Sequence, residues 1–192
     1  TSLPGVAIAS GIRRRVERVA SKARRAGARV AEKLPALDWN EMNALSRDLP
    51  MAILSVFNPH AELPTEQRTL AWYMTALHRR DRLISAFQAF FYKFDALLLP
   101  SGATPAFSHR EPGLPIELGG ETIGYWDNGG LLASVNIAGL PSLTVPAGVG
   151  DDDLPIGVQL VGPLWSEMKL VAIARELERA EALPGFAWAR GY

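Results

Sequence analysis

Residues 134–162 read SVNIAGLPSLTVPAGVGDDDLPIGVQLVG, and the reading of this stretch decides the fold. It is apolar, punctuated by Gly and Pro, and almost free of side chains that do chemistry. Two runs, 142–146 and 156–162, are short, apolar and bounded by turn residues, which predicts two strands. Asp151, Asp152 and Asp153 lie between them. Three adjacent carboxylates raise the question of calcium, but a calcium loop spaces its ligands and needs a sharp glycine turn and a late Glu. The run is therefore read as a solvated hairpin connection. Gly139 and Gly148 let the backbone turn tightly or approach another segment closely. Pro141 and Pro146 fix φ and are expected to block strand extension. After the second strand a helix is expected near Ser166, with Leu170, Val171, Ala174 and Leu177 as its buried stripe. The tail LPGFAWARGY reads as loop.

Upstream, residues 96–99 form a continuous apolar run closed by Pro100 and Gly102. Such a run predicts a strand buried on both faces, placed mid-sheet with helices on either side. Residues 101–130 are rich in Gly and Pro and read as a long loop region, the kind of segment that carries binding function. Before the strand comes the longest helical pattern, about 65–94. Leu70, Met74, Leu77, Ile84, Phe87 and Phe91 recur on one broad face. The aromatic group Phe87, Phe90, Phe91, Tyr92 and Phe94 could line a lipid or partner groove. A helix end packed on a sheet explains it more simply.

At the start of the chain, Ser10 reads as an N-cap, and Ile12, Val16, Val19, Ala20 and Ala23 follow at helical spacing until Gly27. Residues 28–34 read as a short strand. The helix carries Arg13, Arg14, Arg15, Arg18, Lys22, Arg24 and Arg25 against one acid, Glu17. A basic amphipathic helix could meet nucleic acid or act as a targeting peptide. No matching basic patch or aromatic platform for bases occurs elsewhere, so the solvated outer face of an α/β layer is the reading adopted. Asp38 and Glu41 have the spacing of a capping box. The helix they start should end or kink at Pro50.

The totals bound the class. The 192 residues suit one domain or a large piece of one, and 48% apolar content supplies a core. Lys plus Arg equals Asp plus Glu at 20 each, so net charge points to no partner. With no cysteine there is no disulfide framework, thiol nucleophile or cysteine-bound metal. That fits a reducing, cytoplasmic setting. No apolar run approaches the roughly 18 residues of a membrane span. The first residue is Thr1, which suggests processing or a longer parent chain.

Catalytic motifs are missing where they would be sought. There is no Walker pattern, no GxGxxG and no GxSxG elbow. His60, His78 and His109 are scattered and form no metal pattern. A Ser/His/Asp set could be drawn from His109, Asp95 and one of several serines, but no motif fixes it.

The runs VNIAGLPSLTVPAG and LPIGVQLVGPLWSEMKLVAIARELE resemble the C-terminal region of the amidase signature family, whose members hydrolyse carboxamides. The matching positions are Asn136, the turn 139–141, the strand end 145–148, the strand 154–159 and Glu167. FDALLLPSGATPA resembles a family strand, WYMTALHRRDRLISAFQAFFYKFD the helix before it, and GARVAEKLPALDW an earlier strand. About residues 5–180 match in order. Four residues before Asn136 many members have Thr, and two before it Pro; this chain has Leu132 and Ser134.

The resemblance implies an α/β fold, a mixed sheet with helices on both faces, in one incomplete domain over 1–192. It implies amide C–N hydrolysis with no metal or cofactor, through a Ser, cis-Ser and Lys triad. No segment here resembles the Gly/Ser-rich signature that carries the nucleophile, and none of Lys22, Lys33, Lys93 and Lys169 matches the catalytic Lys. The chain thus looks like the C-terminal portion of such an enzyme, inactive alone, with no catalytic residue of its own. By the same resemblance, the loop before Asn136 borders the substrate pocket. Tyr125 and Trp126 would pack on an apolar group of a small amide substrate, and Asp127 would hold a cationic or amide one. The bland reading makes Tyr125 and Trp126 core or interface and Asp127 a turn cap. Asn136 itself reads as a buried amide that ties loop backbone. Exposed strand edges predict association, with a missing N-terminal half or as a homo-oligomer. No nucleic acid or membrane partner is implied. Two rival readings are a non-catalytic binding or assembly module of amidase-like scaffold, and a different hydrolase using His109.

Overall fold

The computed structural model describes residues 4, 7–58, 64, 66, 69–118, 120–150 and 153–185, without the side chains of 127, 130–132 and 134. His60, Asp151, Asp152, the side chain of Asp127 and residues 186–192 lie outside the described set. Among the described residues, five helices pack with two small sheets. The elements run α1 (Ser10–Arg25), α2 (Trp39–Leu54), α3 (Leu70–Phe91), β1 (Leu97–Pro100), β2 (Ile116–Leu118), β3 (Glu121–Ile123), a 3-10 turn (Asp127–Gly129), α4 (Gly130–Ile137), β4 (Ser142–Val149), β5 (Pro155–Val161) and α5 (Glu167–Arg179).

The stretch 134–162 builds the main sheet. β4 and β5 pair antiparallel, with Leu143 opposite Leu160 and Val145 opposite Val158, and β1 joins the other side of β5. The order is β1-β5-β4, so β5 is central and β1 is an edge strand. This corrects the mid-sheet placement of 96–99. Its apolar run is buried because α1 packs on it. The strand covered on both faces is β5, with Ile156, Val158, Gln159, Leu160 and Val161 all buried. Every pairing among the described strands is antiparallel.

Pro146 does not stop β4, which runs on to Val149. Its missing N–H is harmless on an edge strand beside a bulge. The register shifts between Pro146 and Gly148, and Gly148 adopts φ +111°. The region 101–130 is not all loop: it contains the β2–β3 hairpin and the 3-10 turn. Residues 28–34 pair with no described strand, so the expected strand does not form among the described residues. A strand needs a ladder partner as well as a suitable sequence.

Helix boundaries follow their caps. Asp38 accepts from the Asn40 and Glu41 N–H groups at 2.9 and 3.0 Å, as the capping spacing predicts. α2 then runs through Pro50, contrary to expectation. Met42, Leu45 and Leu49 are buried and hold the helix in place, while Pro50 removes only one ladder bond. α3 begins at Leu70 because Thr69 Oγ1 accepts from Trp72 N–H at 3.1 Å. The expected cap at Ser10 is also corrected. Ala9 holds that position, Ser10 is the first helical residue, and its N–H donates to Glu121 Oε2 on β3 at 3.0 Å. A carboxylate from another element thus serves the electropositive end of α1.

α1, α4 and α5 end alike. In each, the residue two past the cap returns its N–H to the carbonyl five back: Ala28 to Ala23, Leu140 to Val135, Ala182 to Leu177. The intervening residue is left-handed in each case. Gly27 (φ +97°) and Gly139 (φ +64°) carry no Cβ penalty, whereas Glu181 (φ 55°) does. Glu181→Gly should therefore stabilise the protein by about 0.5–1 kcal/mol. That is the left-handed penalty of about 1–2 kcal/mol less glycine's extra chain entropy of about 0.5–1. Chemical denaturation would show a raised midpoint at unchanged slope. The contact from Lys22 to the Glu181 carbonyl survives the change, because it uses backbone.

The core gathers one face from each helix. Ile12, Val16 and Val19 of α1 and Leu83, Phe87 and Phe90 of α3 belong to one cluster with Leu97, Leu99 and Val158. The α3 aromatics pack among themselves, Phe90 against Phe94 at 4.5 Å and against Phe91 at 5.4 Å. Tyr92 alone of that group is exposed. On α5, Leu170 is buried and Val171, Ala174 and Leu177 half-buried. Arg13, Arg14, Arg18, Arg24 and Arg25 lie exposed on α1, opposite its buried stripe.

Candidate functional site

The chain following β1, the 3-10 turn and the start of β5 meet at one end of the main sheet. Between them lies a cleft of about 350 Å³, within the size range of small-molecule sites. Its floor is Ser101, Gly102 and Gly157. Its walls are residues 104–107, Asn128 and Gly129, Pro155 and Ile156, with Ile12 from α1. A Cβ at Gly157 would sit 2.7 Å from Ser101 Oγ and 3.4 Å from Thr144 Cγ2, so the Ser101 hydroxyl would have to turn away.

Asn128 holds the cleft together. Its Oδ1 accepts from Ala103 N–H at 3.0 Å, Thr104 N–H at 2.9 Å and Thr104 Oγ1 at 3.0 Å. Its backbone carbonyl also accepts from Ala103 N–H, at 3.3 Å. The Ala103 carbonyl in turn accepts from Ala9 N–H at 2.8 Å. The amide oxygen thereby ties the chain after β1 to the turn before α4, and the Ala103 carbonyl ties it on to the start of α1. Residues 103 and 104 have no strand partner here, so a side chain must satisfy their donors. The Asn-Gly pair at 128–129 carried no sequence signal for this role, because the donors are 24 and 25 residues away.

Tyr125 and Trp126 stand beside the cleft without lining it. Tyr125 is half-buried and packs edge-on against Phe107, a wall residue, with ring centres 6.2 Å apart. Trp126 meets Tyr125 at 4.9 Å and is 73% exposed. The Arg110 guanidinium lies 5.5 Å from the centre of the Phe107 ring, a cation–π contact. Asn136 lies on α4 with its side chain exposed, so the expected buried amide is corrected. Its backbone carbonyl closes the helix by accepting from Gly139 N–H at 3.0 Å.

The cleft has no acid or base: none of its lining residues titrates. His78 and His109 are both exposed. Asp95 faces Lys169 at 2.6 Å. The hydrogen bond and charge of Lys169 hold its carboxyl below the usual range. Asp95 is thus engaged away from the His109 with which a triad could be drawn. Among the described residues no cluster of three or more His, Asp or Glu could hold a metal ion. No helix among them is long and apolar enough to cross a membrane.

Comparison with known proteins places this arrangement. The glutamyl-tRNA(Gln) amidotransferase A-subunit of Halothermothrix orenii is 34% identical over 110 residues, covering 57% of this chain and 22% of that protein. The chain thus spans about a fifth of the length of the curated relatives it matches. Among solved structures, the fold matches a bacterial aryl acylamidase of the amidase signature family, with TM-score 0.69 and 20% identity over 95% of this chain and 43% of the other. It also matches 6-aminohexanoate cyclic dimer hydrolase, with TM-score 0.71 and 18% identity over 95% and 43%. At such identities these two likenesses show the fold alone. The amidase family model matches residues 6–171, most of the chain and every element named above except α5, of which only the first turn is included. The chain belongs to the amidase family.

Proposed function

We propose that this chain is the C-terminal part of an amidase that hydrolyses a carboxamide C–N bond. It supplies the sheet end and the pocket loops, while the nucleophile and its base come from outside these 192 residues. The observation that carries this reading is the amidase-family match over residues 6–171, beside an open cleft whose lining contains no titratable group. Such a site can position an amide but cannot activate a nucleophile. Tyr125, Trp126 and Asp127 serve the substrate. Tyr125 braces the Phe107 wall, Trp126 packs on whatever part of the substrate leaves the cleft, and Asp127 holds a polar or cationic group beside them. The partner is the remainder of an amidase domain. Met51, Leu54, Val56 and Phe57 at the end of α2 are exposed apolar side chains that such a partner would cover.

The test pairs a denaturing intact-mass measurement on the protein from its native source with an assay on a panel of carboxamides. A longer or two-fragment protein that hydrolyses amides, beside an inactive 192-residue chain, supports the reading. Hydrolysis by the 192-residue chain alone overturns the division of labour. A native protein that hydrolyses no amide overturns the amidase assignment. In an active form, Trp126→Ala and Asp127→Asn should raise KM more than they lower kcat.

A further inference from the structure

Charge is unevenly distributed along the chain. Residues 1–33 carry nine Lys and Arg side chains against two Glu, and residues 34–192 carry eleven against eighteen Asp and Glu. The zero net charge is therefore +7 on the first part and −7 on the second. α1 gathers the positive part onto one face. Arg13, Arg14, Arg18, Arg24 and Arg25 are exposed, while Ile12, Val16, Val19 and Ala23 are buried on the side that packs on the sheet. At 1.5 Å of rise per residue these arginines span about 18 Å of helix. Arg13 and Arg24 each give one N–H to a backbone carbonyl, of Ile8 and Val30, at 3.5 Å, which leaves most of their donors free. Arg18 and Arg25 make no hydrogen bond or ion pair among the described residues. Glu17, the one acid of α1, already has a partner, as does Arg14.

The structure separates the anionic surfaces that could meet this face. A membrane-surface helix needs its apolar stripe free to enter lipid, and that of α1 is buried. A protein interface is built round apolar or aromatic anchors, with charge depleted at its centre. The exposed residues of α1 are Ser10, Glu17 and the arginines, none of them apolar. Single-stranded nucleic acid is held by aromatic stacking as well as charge, and α1 has no aromatic residue. A duplex backbone asks only for what is here. Arginine forks bind phosphate bidentately, and interfaces with nucleic acid are polar and strongly positive. The major groove of B-form DNA admits a helix, whereas that of A-form RNA is too narrow. We propose that α1 is a sequence-independent docking face for the phosphate backbone of duplex DNA. The missing aromatic platform excludes base stacking, not backbone contact. The negative remainder of the chain repels the same polyanion and so confines it to this face. The proposal is independent of the amidase reading and uses none of the polar groups of the cleft.

Fluorescence anisotropy of a short labelled DNA duplex, titrated with the intact protein over a range of salt, tests it. With about four arginines on phosphates, log K should fall against log salt with a slope of about −3 to −4, a loss of about 100-fold between about 50 and 200 mM. A second duplex of unrelated sequence should bind within about threefold. Arg18→Gln with Arg25→Gln should weaken binding about tenfold or more at low salt and bring the slope about 2 closer to zero. Arg175→Gln with Arg179→Gln removes the same charge from exposed positions on α5 and should change binding by less than about threefold. All four positions are on the surface, so circular dichroism should stay unchanged, and Arg13→Gln with Arg24→Gln repeats the test elsewhere on the same face. No binding at low salt, a slope near zero, or equal weakening by the α5 pair overturns the proposal. Tighter binding of a duplex RNA of the same length overturns it too. So does displacement of the duplex by poly-L-glutamate, or by phosphatidylserine vesicles, as readily as by unlabelled DNA at equal charge, which would make the partner an acidic protein or a membrane.

Discussion

Phe87→Ala should destabilise the protein by about 3–5 kcal/mol, the usual loss when a large core aromatic is truncated. Phe87 is 1% exposed on α3 and belongs to the cluster that joins this helix to the sheet. It also stacks on Phe91, with ring centres 6.5 Å apart. Truncation loses the transfer energy of the ring and leaves a cavity that rigid neighbours fill only in part. Phe87→Leu should cost less, about 1–2 kcal/mol, because more of the volume is kept. Tyr92→Ala is the control. It lies five residues on in the same chain segment but is 91% exposed, so its effect should stay within about 0.5 kcal/mol. Urea unfolding of the three variants beside the parent checks the ordering. A Phe87→Ala cost no larger than that of Tyr92→Ala would mean that α3 does not pack on the core as described.

The same helix shows what could be read from sequence. Its apolar stripe predicted the buried face, since periodicity reports which side meets a core. Its start at Leu70 was missed by about five residues, because that boundary is set by the Thr69 hydroxyl on one backbone N–H. β4 and β5 were legible as strands from their own residues. Their order with β1 was not, since register and edge position depend on a third segment more than 40 residues away. Residues 28–34 have a strand's composition and no partner among the described residues, so a local signal outran its tertiary support. α4 was missed because Gly130 and the short run after it carry little helical pattern. It stands in the structure against α2. At the cleft, sequence singled out Tyr125 and Trp126 through family resemblance but passed over Asn128, Ser101 and Gly157. None of those three has a motif. Their importance comes from meeting in space.

Asn128 is where that meeting can be tested with the next largest effect. Asn128→Leu should cost about 2–3 kcal/mol. It keeps the approximate volume but strips the acceptor from two backbone N–H groups and one hydroxyl in a part-buried junction, and unsatisfied donors of this kind cost about 1–3 kcal/mol each. The total is held below the sum because Ala103 N–H keeps the Asn128 carbonyl at 3.3 Å and the Thr104 hydroxyl can turn towards the open cleft. Asn128→Asp should behave differently, since a carboxylate keeps the oxygen in place and accepts the same three bonds more strongly. Those bonds favour the ionised form, so the folded-state pKa of the new Asp should fall below its unfolded value of about 3.9. The stabilisation is then fully present above that unfolded pKa and lost as pH drops through the lower folded one. Near neutral pH the Asp variant should lie within about 1 kcal/mol of the parent, and its deficit should widen only in acid. Amide hydrogen exchange supplies the local readout. Protection at Ala103 and Thr104 should fall in Asn128→Leu and persist in Asn128→Asp, while the buried amides of β5 change only as global stability does. Loss of protection confined to 103 and 104 would mark Asn128 as the fastening of the cleft. Equal loss across β5 would mean that the junction holds the whole sheet, and that the cleft's shape is a consequence of the fold and not of one side chain.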